Sequence, residues 1–97
     1  MTFSELAPAT SVILAQRGYR RADDLDGWVW DGGRCLVQFL DASESRYYPY
    51  SLLRQRYKIA SDGRRVPIPQ TNNLPIGASS TPEAVAAAII DCLEYTY

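Results

Sequence analysis

The segment from Leu53 to Ile59 alternates with a period of two residues, which is the spacing of side chains on the two faces of a β-strand. One face of this strand would carry Arg54, Arg56 and Lys58. The other face would carry the four remaining residues, Leu53, Gln55, Tyr57 and Ile59. Because long cationic side chains usually reach into water, the pattern predicts a strand with a solvated basic face.

Turn residues on either side of this strand predict an antiparallel meander. The sequence Asp31-Gly32-Gly33 tolerates the positive φ that a tight hairpin requires, and Ser61-Asp62-Gly63-Arg64 supplies a second turn. The predicted strands cover residues 27–31, 34–40, 46–49, 53–60 and 65–68. Prolines at positions 67 and 69 limit the last strand to an edge of the sheet. Residues 70–80 show no period and are predicted to form a loop.

The second predicted strand differs from the others because it is apolar on nearly both faces. Cys35 to Leu40 contains one polar interruption, Gln38. A strand of this kind is typical of a central strand that is covered on two sides.

Two helices enclose the strands in sequence. The first is predicted over residues 3–17, where Thr2 and Glu5 fit a capping box and Pro8 favours a main helix that begins near it. The second is predicted over residues 82–95, behind the capping residue Thr81. The order of elements predicts one small α+β domain over residues 1–97, with a strongly bent antiparallel meander of three to five strands and the C-terminal helix packed on the sheet.

The stretches Val37–Asp41 and Tyr48–Arg54 resemble the strand, turn and closing strand of Tudor-like SH3-type barrels. The resemblance covers about residues 37–54 and implies a small, strongly bent antiparallel sheet. Methyl-reading Tudor domains often carry an aromatic residue directly after the aspartate, as part of a cage for a methylated cation. Here that position is Ala42.

The chain contains no histidine, which removes the commonest general base and the commonest metal ligand. Cys35 and Cys92 lie among apolar residues, as buried thiols of a cytosolic protein do. The apolar run that contains Val85 to Ile90 is far too short to span a membrane. We therefore expect a cytoplasmic, non-enzymatic protein that uses no metal and no cofactor.

The stretch from Arg46 to Arg65 carries six cations and one acid, a net charge of +5, whereas the whole chain has a net charge of −1. Cations interleaved with tyrosines favour binding to an acidic protein face or a nucleic-acid strand. The candidate partner-binding residues are Arg46, Tyr47, Tyr48, Tyr50, Arg54, Arg56, Lys58, Arg64 and Arg65. The favoured partner is another protein or a second copy of the chain. The alternative is a nucleic-acid-binding accessory protein, although the pI of about 5.2 is below that of most such domains.

Three further features of the sequence leave alternatives open. Trp28 and Trp30 are interpreted as core residues, the alternative being an exposed aromatic platform. The carboxylates of residues 23, 24 and 26 are interpreted as a solvated turn, the alternative being a cation-binding site. Nine of the ten cations are arginine, which is typical of a GC-rich bacterial genome or of a preference for bidentate contacts.

Overall fold

Two helices and a four-stranded antiparallel sheet form a small α+β domain, which confirms the predicted fold class. A computed structural model describes residues 1–42 and 48–94, without the side chains of Gln70 and Thr71. The elements are α1 (Phe3–Gln16), β1 (Trp28–Gly32), β2 (Cys35–Asp41), β3 (Tyr50–Ile59), β4 (Arg65–Ile76) and α2 (Pro82–Glu94). The strands lie in the order β1–β2–β3–β4, so every strand pairs with its neighbour in the chain. Both helices contribute to the core on one face of the sheet, and neither described helix has the length and apolar character needed to cross a bilayer.

Helix α1 begins at Phe3 and continues through Pro8 to Gln16, so the expectation that the main helix starts near Pro8 is wrong. The predicted capping box is present, because the Glu5 carboxylate accepts hydrogen bonds from the backbone N–H and the hydroxyl of Thr2. Pro8 removes one helical hydrogen bond near the start of the helix. It lies on the exposed side, where water can reach the carbonyl that loses its partner.

The turn between β1 and β2 has two residues at its centre, Gly33 with φ of 60° and Arg34 with φ of 64°. This conformation matches a type I′ turn, whose twist fits that of an antiparallel hairpin. The sequence predicted a turn here but not a left-handed arginine. Gly32 faces helix α2, and a methyl group in its place would lie 3.5 Å from the side chain of Leu93.

The structure corrects the predicted boundaries of the last two strands. Of the predicted strand over residues 46–49, positions 46 and 47 lie outside the described residues, and Tyr48 and Pro49 precede β3. The predicted loop over residues 70–80 is wrong over its first half, because β4 continues to Ile76. A proline interrupts a strand only where it removes a hydrogen bond to a neighbouring strand. An edge strand has one side without a neighbour, so a proline whose nitrogen faces that side is tolerated.

The pairing of β3 with β4 shows how the prolines are accommodated. The register shifts by two residues at a bulge, where residues 68–70 lie opposite Arg56. The backbone N–H of Tyr57 donates to the carbonyl of Arg34 on the β2 side, at 3.0 Å. Its partner Pro67 therefore directs its backbone nitrogen away from the sheet, and Pro75, which pairs with Ser51 in the same phase, does likewise. No ladder hydrogen bond is lost at either proline.

The core lies between the helices and one face of the sheet. Its buried residues come from all elements except β4: Leu6, Ala7, Leu14, Trp30, Cys35, Val37, Phe39, Tyr50, Leu52, Val85, Ala86, Ile89, Cys92 and Leu93. Trp30 is fully buried, as the sequence predicted, and Trp28 packs at the margin with the Arg21 guanidinium 3.9 Å above its ring. The two tryptophans therefore form no exposed platform. Cys35 and Cys92 are free, buried thiols.

Candidate functional site on the open face of the sheet

The two faces of β3 divide as the period of two predicts, but the basic face is not the solvated one. Cross-strand pairs share a face of a sheet, and the register pairs Arg54 with Val37 and Arg56 with Cys35, both of which are core residues. Arg54 is 8% exposed and Arg56 is half-buried. The prediction of a solvated cationic row is wrong for Arg54, because the helices cover the side of β3 on which Leu52 is also buried.

The remaining predicted cations are separated from one another. Lys58 is exposed near the end of β3. Arg64 pairs with Asp62 at 2.7 Å, in an exposed turn. Arg65 points to a different set of carboxylates. The sequence stretch that is most basic therefore does not form one continuous basic surface among the described residues.

The predicted tyrosines are also divided between core and surface. Tyr50 is buried, and its hydroxyl donates to the backbone carbonyl of Met1. Its ring packs 5.9 Å from that of Phe39. Tyr48 is 46% exposed. Arg46 and Tyr47 lie outside the described residues.

Arg65 lies at the centre of an ion-pair cluster formed by Asp24, Asp31, Tyr57 and Arg65. Its guanidinium donates to Asp31 at 2.8 Å and to Asp24, and it lies 5.6 Å from the centroid of the Tyr57 ring. The Tyr57 hydroxyl donates to the second oxygen of Asp31 at 2.5 Å. The cluster joins β1, β3 and β4 to the turn that precedes β1.

Proton affinities in the ion-pair cluster follow from these contacts. The hydrogen bond from Arg65 lowers the pKa of Asp24, and the same carboxylate together with Asp31 raises the pKa of Arg65. Burial, followed by the hydrogen bond to Asp31, raises the pKa of Tyr57. The cluster thus places one guanidinium between two carboxyl groups, with the Tyr57 phenol beside them.

Beside this cluster lies a depression of about 250 Å³ on the face of the sheet that the helices leave uncovered. We call it the open-face groove. It is lined by Leu25, Asp26, Val29, Leu36, Gln38, Leu53 and Gln55. The register places Val29 beside Gln38 and Gln38 beside Leu53, and the next row holds Asp31, Leu36 and Gln55. The open-face groove and the ion-pair cluster are thus continuous through Asp31.

The groove is apolar and nearly free of charge. Of its seven lining residues one, Asp26, carries a charge. Val29 is 5% exposed although no helix covers it, while Leu36 and Leu53 remain half-buried. Such a composition resembles the centre of a protein interface, where charged residues are depleted.

The apolar pattern of β2 indicated this site in the sequence, but the pattern was interpreted as burial of the strand on both faces. β2 was predicted to be covered on two sides because it is apolar on both. In the structure Cys35, Val37 and Phe39 face the helices, whereas Leu36 and Leu40 face the uncovered side. Both faces of β2 are apolar as predicted, but the helices cover only one of them.

Neither a metal site nor a related protein identifies the function. Among residues 1–42 and 48–94, no group of three or more acidic, cysteine or histidine side chains is placed to hold a metal ion. Comparison with protein-family models, with curated proteins and with solved structures finds no match. The resemblance of residues 37–54 to Tudor-like barrels stays a prediction.

Proposed function

We propose that this chain is a non-enzymatic binding module that holds a protein partner against the open face of its sheet. The observation that carries the proposal is the two-sided apolar character of β2, which the fold covers on one side. Leu36 and Leu53 would become buried when the partner covers the groove. Burying a leucine side chain fully contributes about 1.5–3 kcal/mol, so even partial burial of several such residues favours association.

The size and rim of the site support a protein partner. A depression of about 250 Å³ is below the usual range of about 300–1,000 Å³ for small-molecule pockets, but it holds one or two side chains of a partner. The ion-pair cluster forms a polar rim next to the apolar groove. Interfaces commonly combine such a dry centre with a polar margin, and the margin contributes to specificity more than to affinity.

The proposal modifies the partner-binding surface expected from the sequence. The open-face groove replaces the row of cations as the main contact, since Arg54 is buried and Arg64 and Arg65 are each paired with aspartates. Binding through an apolar groove would depend weakly on salt, whereas nucleic-acid binding weakens steeply as salt rises. The proposal also keeps the module in the cytoplasm, where Cys35 and Cys92 would stay reduced.

Site-specific photo-crosslinking in cells tests this proposal. A benzophenone side chain at Leu36 should capture a defined protein, and one at Val12, an exposed position on α1, should not. Mass spectrometry would identify the captured chain. Adding Leu53→Arg should abolish the capture from position 36. Equal capture from positions 36 and 12, or capture of nucleic acid instead, would contradict the proposal.

A further inference from the structure

We infer that the occupant of the open-face groove is a second copy of this chain, in a dimer whose two open faces stack across a two-fold axis. The inference rests on the proposed function and names its partner. Such an interface is isologous, because the same surface contributes from both copies. Two sheets stacked in this way lie about 10 Å apart, with the side chains of both faces between them.

The area of the open face is compatible with a dimer. Four strands of five to twelve residues, about 28 Å long on average and about 4.8 Å apart, give a flat area of roughly 500–600 Å². Side-chain relief raises the accessible area above the flat area. A stable interface takes about 800 Å² from each partner, so the face is sufficient only if most of it is covered. The sheet-to-sheet arrangement covers it, whereas contact with a single helix would cover only a strip.

The central residues of the groove carry no charge, whereas Asp26 among its lining residues does. A two-fold axis brings residues near it against their own copies, so a face rich in lysine or glutamate would repel itself. The central groove residues Leu36, Gln38 and Leu53 are neutral. An amide such as that of Gln38 both donates and accepts hydrogen bonds, and it can pair with the same amide in the other copy. Asp31 and Asp24 lie nearby and share one cation, Arg65, within the same copy.

Pairing of two sheets edge to edge is the competing way to form a dimer, and β4 opposes it. Pro67 and Pro75 occupy positions where the backbone nitrogen points outward, so these positions offer no donor to an added strand. Of the β4 edge and the open face, the face is therefore the better site for a second copy.

Light scattering on size-separated protein tests the inference. The unmodified chain should have about twice its monomer mass of 10.9 kDa at micromolar concentration. Leu53→Arg should weaken the dimer at least about tenfold, or about 1.4 kcal/mol, because two buried cations meet across the axis. The matched control is Leu74→Arg, since Leu74 is an exposed leucine that pairs with Leu52 and so lies on the other face.

Circular dichroism should show that both arginine variants fold, and Gln38→Glu provides a second groove variant at a position that is already polar. A monomer across the micromolar range would overturn the inference. Equal weakening by Leu53→Arg and Leu74→Arg, or an unaffected dimer in Gln38→Glu and Leu53→Arg, would also overturn it. In each of these cases, capture of a different protein from position 36 would still support the proposed function.

Discussion

The two faces of the sheet are formed by alternate residues of the same strands, yet the residues on the two faces are buried to different extents. On the covered face Val37, Phe39 and Leu52 are at most 1% exposed. On the open face Leu36 and Leu53 remain half-buried, although the residues are of the same apolar kind. An apolar sequence pattern therefore indicates that a sheet face favours burial. It does not indicate whether the helices of the same chain bury that face.

The arginines of the two faces also differ in how deeply they are buried. Arg54 is buried on the covered face, where its positive charge opposes the rise in pKa that burial causes for Cys35 and Cys92. Arg65, on the open side, is partly exposed and pairs with two aspartates. A cation buried among core residues is sensitive to the packing around it, whereas a partly exposed cation in a polar cluster depends on its specific partners.

The largest expected difference between the faces lies in adjacent residues of β2. Phe39→Ala should lower the free energy of unfolding by about 3–5 kcal/mol, because it leaves a cavity in the core. Leu40→Ala should lower it by less than about 2 kcal/mol, because Leu40 is half-buried on the open face. Urea unfolding of both variants measures the contrast. Equal losses would show that the open face is as tightly covered as the other.

A smaller difference is expected along the basic side of β3. Arg54→Gln should cost about 1–3 kcal/mol, because the change disturbs a buried charged group and its contacts. Lys58→Gln, two residues further along, should change stability by less than about 0.5 kcal/mol. Thermal and urea unfolding would measure both variants. If Lys58→Gln were the more damaging change, the assignment of the covered face along β3 would be wrong.

The smallest expected effect concerns Tyr57 in the ion-pair cluster. Tyr57→Phe removes the hydrogen bond to Asp31 and should cost about 1 kcal/mol at neutral pH. Because folding raises the pKa of Tyr57 above its usual value of 10.0, its contribution is complete below that pH and is lost as the pH rises through the folded pKa. Tyr57→Phe should therefore flatten the alkaline loss of stability, as followed by urea unfolding at neutral and alkaline pH.

The control for this pH effect is Tyr19→Phe, on the helix side of the molecule. The hydrogen bond from Tyr19 to Glu94 raises the pKa of Tyr19, but the bond is exposed although the tyrosine is half-buried, so water screens the interaction. We expect Tyr19→Phe to leave the alkaline slope closer to that of the unmodified chain. A larger flattening at Tyr19 than at Tyr57 would contradict the account of the open face.

The sequence predicted much of the fold because local patterns determine local structure. The hairpin glycines and the caps of both helices were recognisable, and the period of two correctly divided Arg54 from Gln55. The alternating pattern did not indicate which face of the sheet the helices cover, because that depends on contacts between residues distant in sequence. The extension of β4 to Ile76 was missed because a proline interrupts a strand only if its nitrogen faces a neighbour, and the register decides that.

The candidate site was less predictable than the fold. Arg65, Asp24 and Asp31 come from three separate segments, and nothing local indicates that they meet. The open-face groove was visible only as the unusual two-sided apolar pattern of β2. Interpreting this pattern requires knowing whether helices pack on one face of the sheet or on both, and that depends on the fold of the whole domain.

The agreement between strand order and chain order has a consequence for how the molecule folds. Each strand pairs only with its immediate neighbour along the chain, so the sheet can grow by successive hairpins with small loop-closure cost. Contact between the helices, in contrast, joins residues far apart in the sequence, and the bond from Tyr19, which follows α1, to Glu94 at the end of α2 does the same. We expect the transition state to contain the β1–β2 hairpin before the helices dock. Kinetic φ-values should then be higher at Val37 than at Ala86, and the reverse order would exclude this sequence of events.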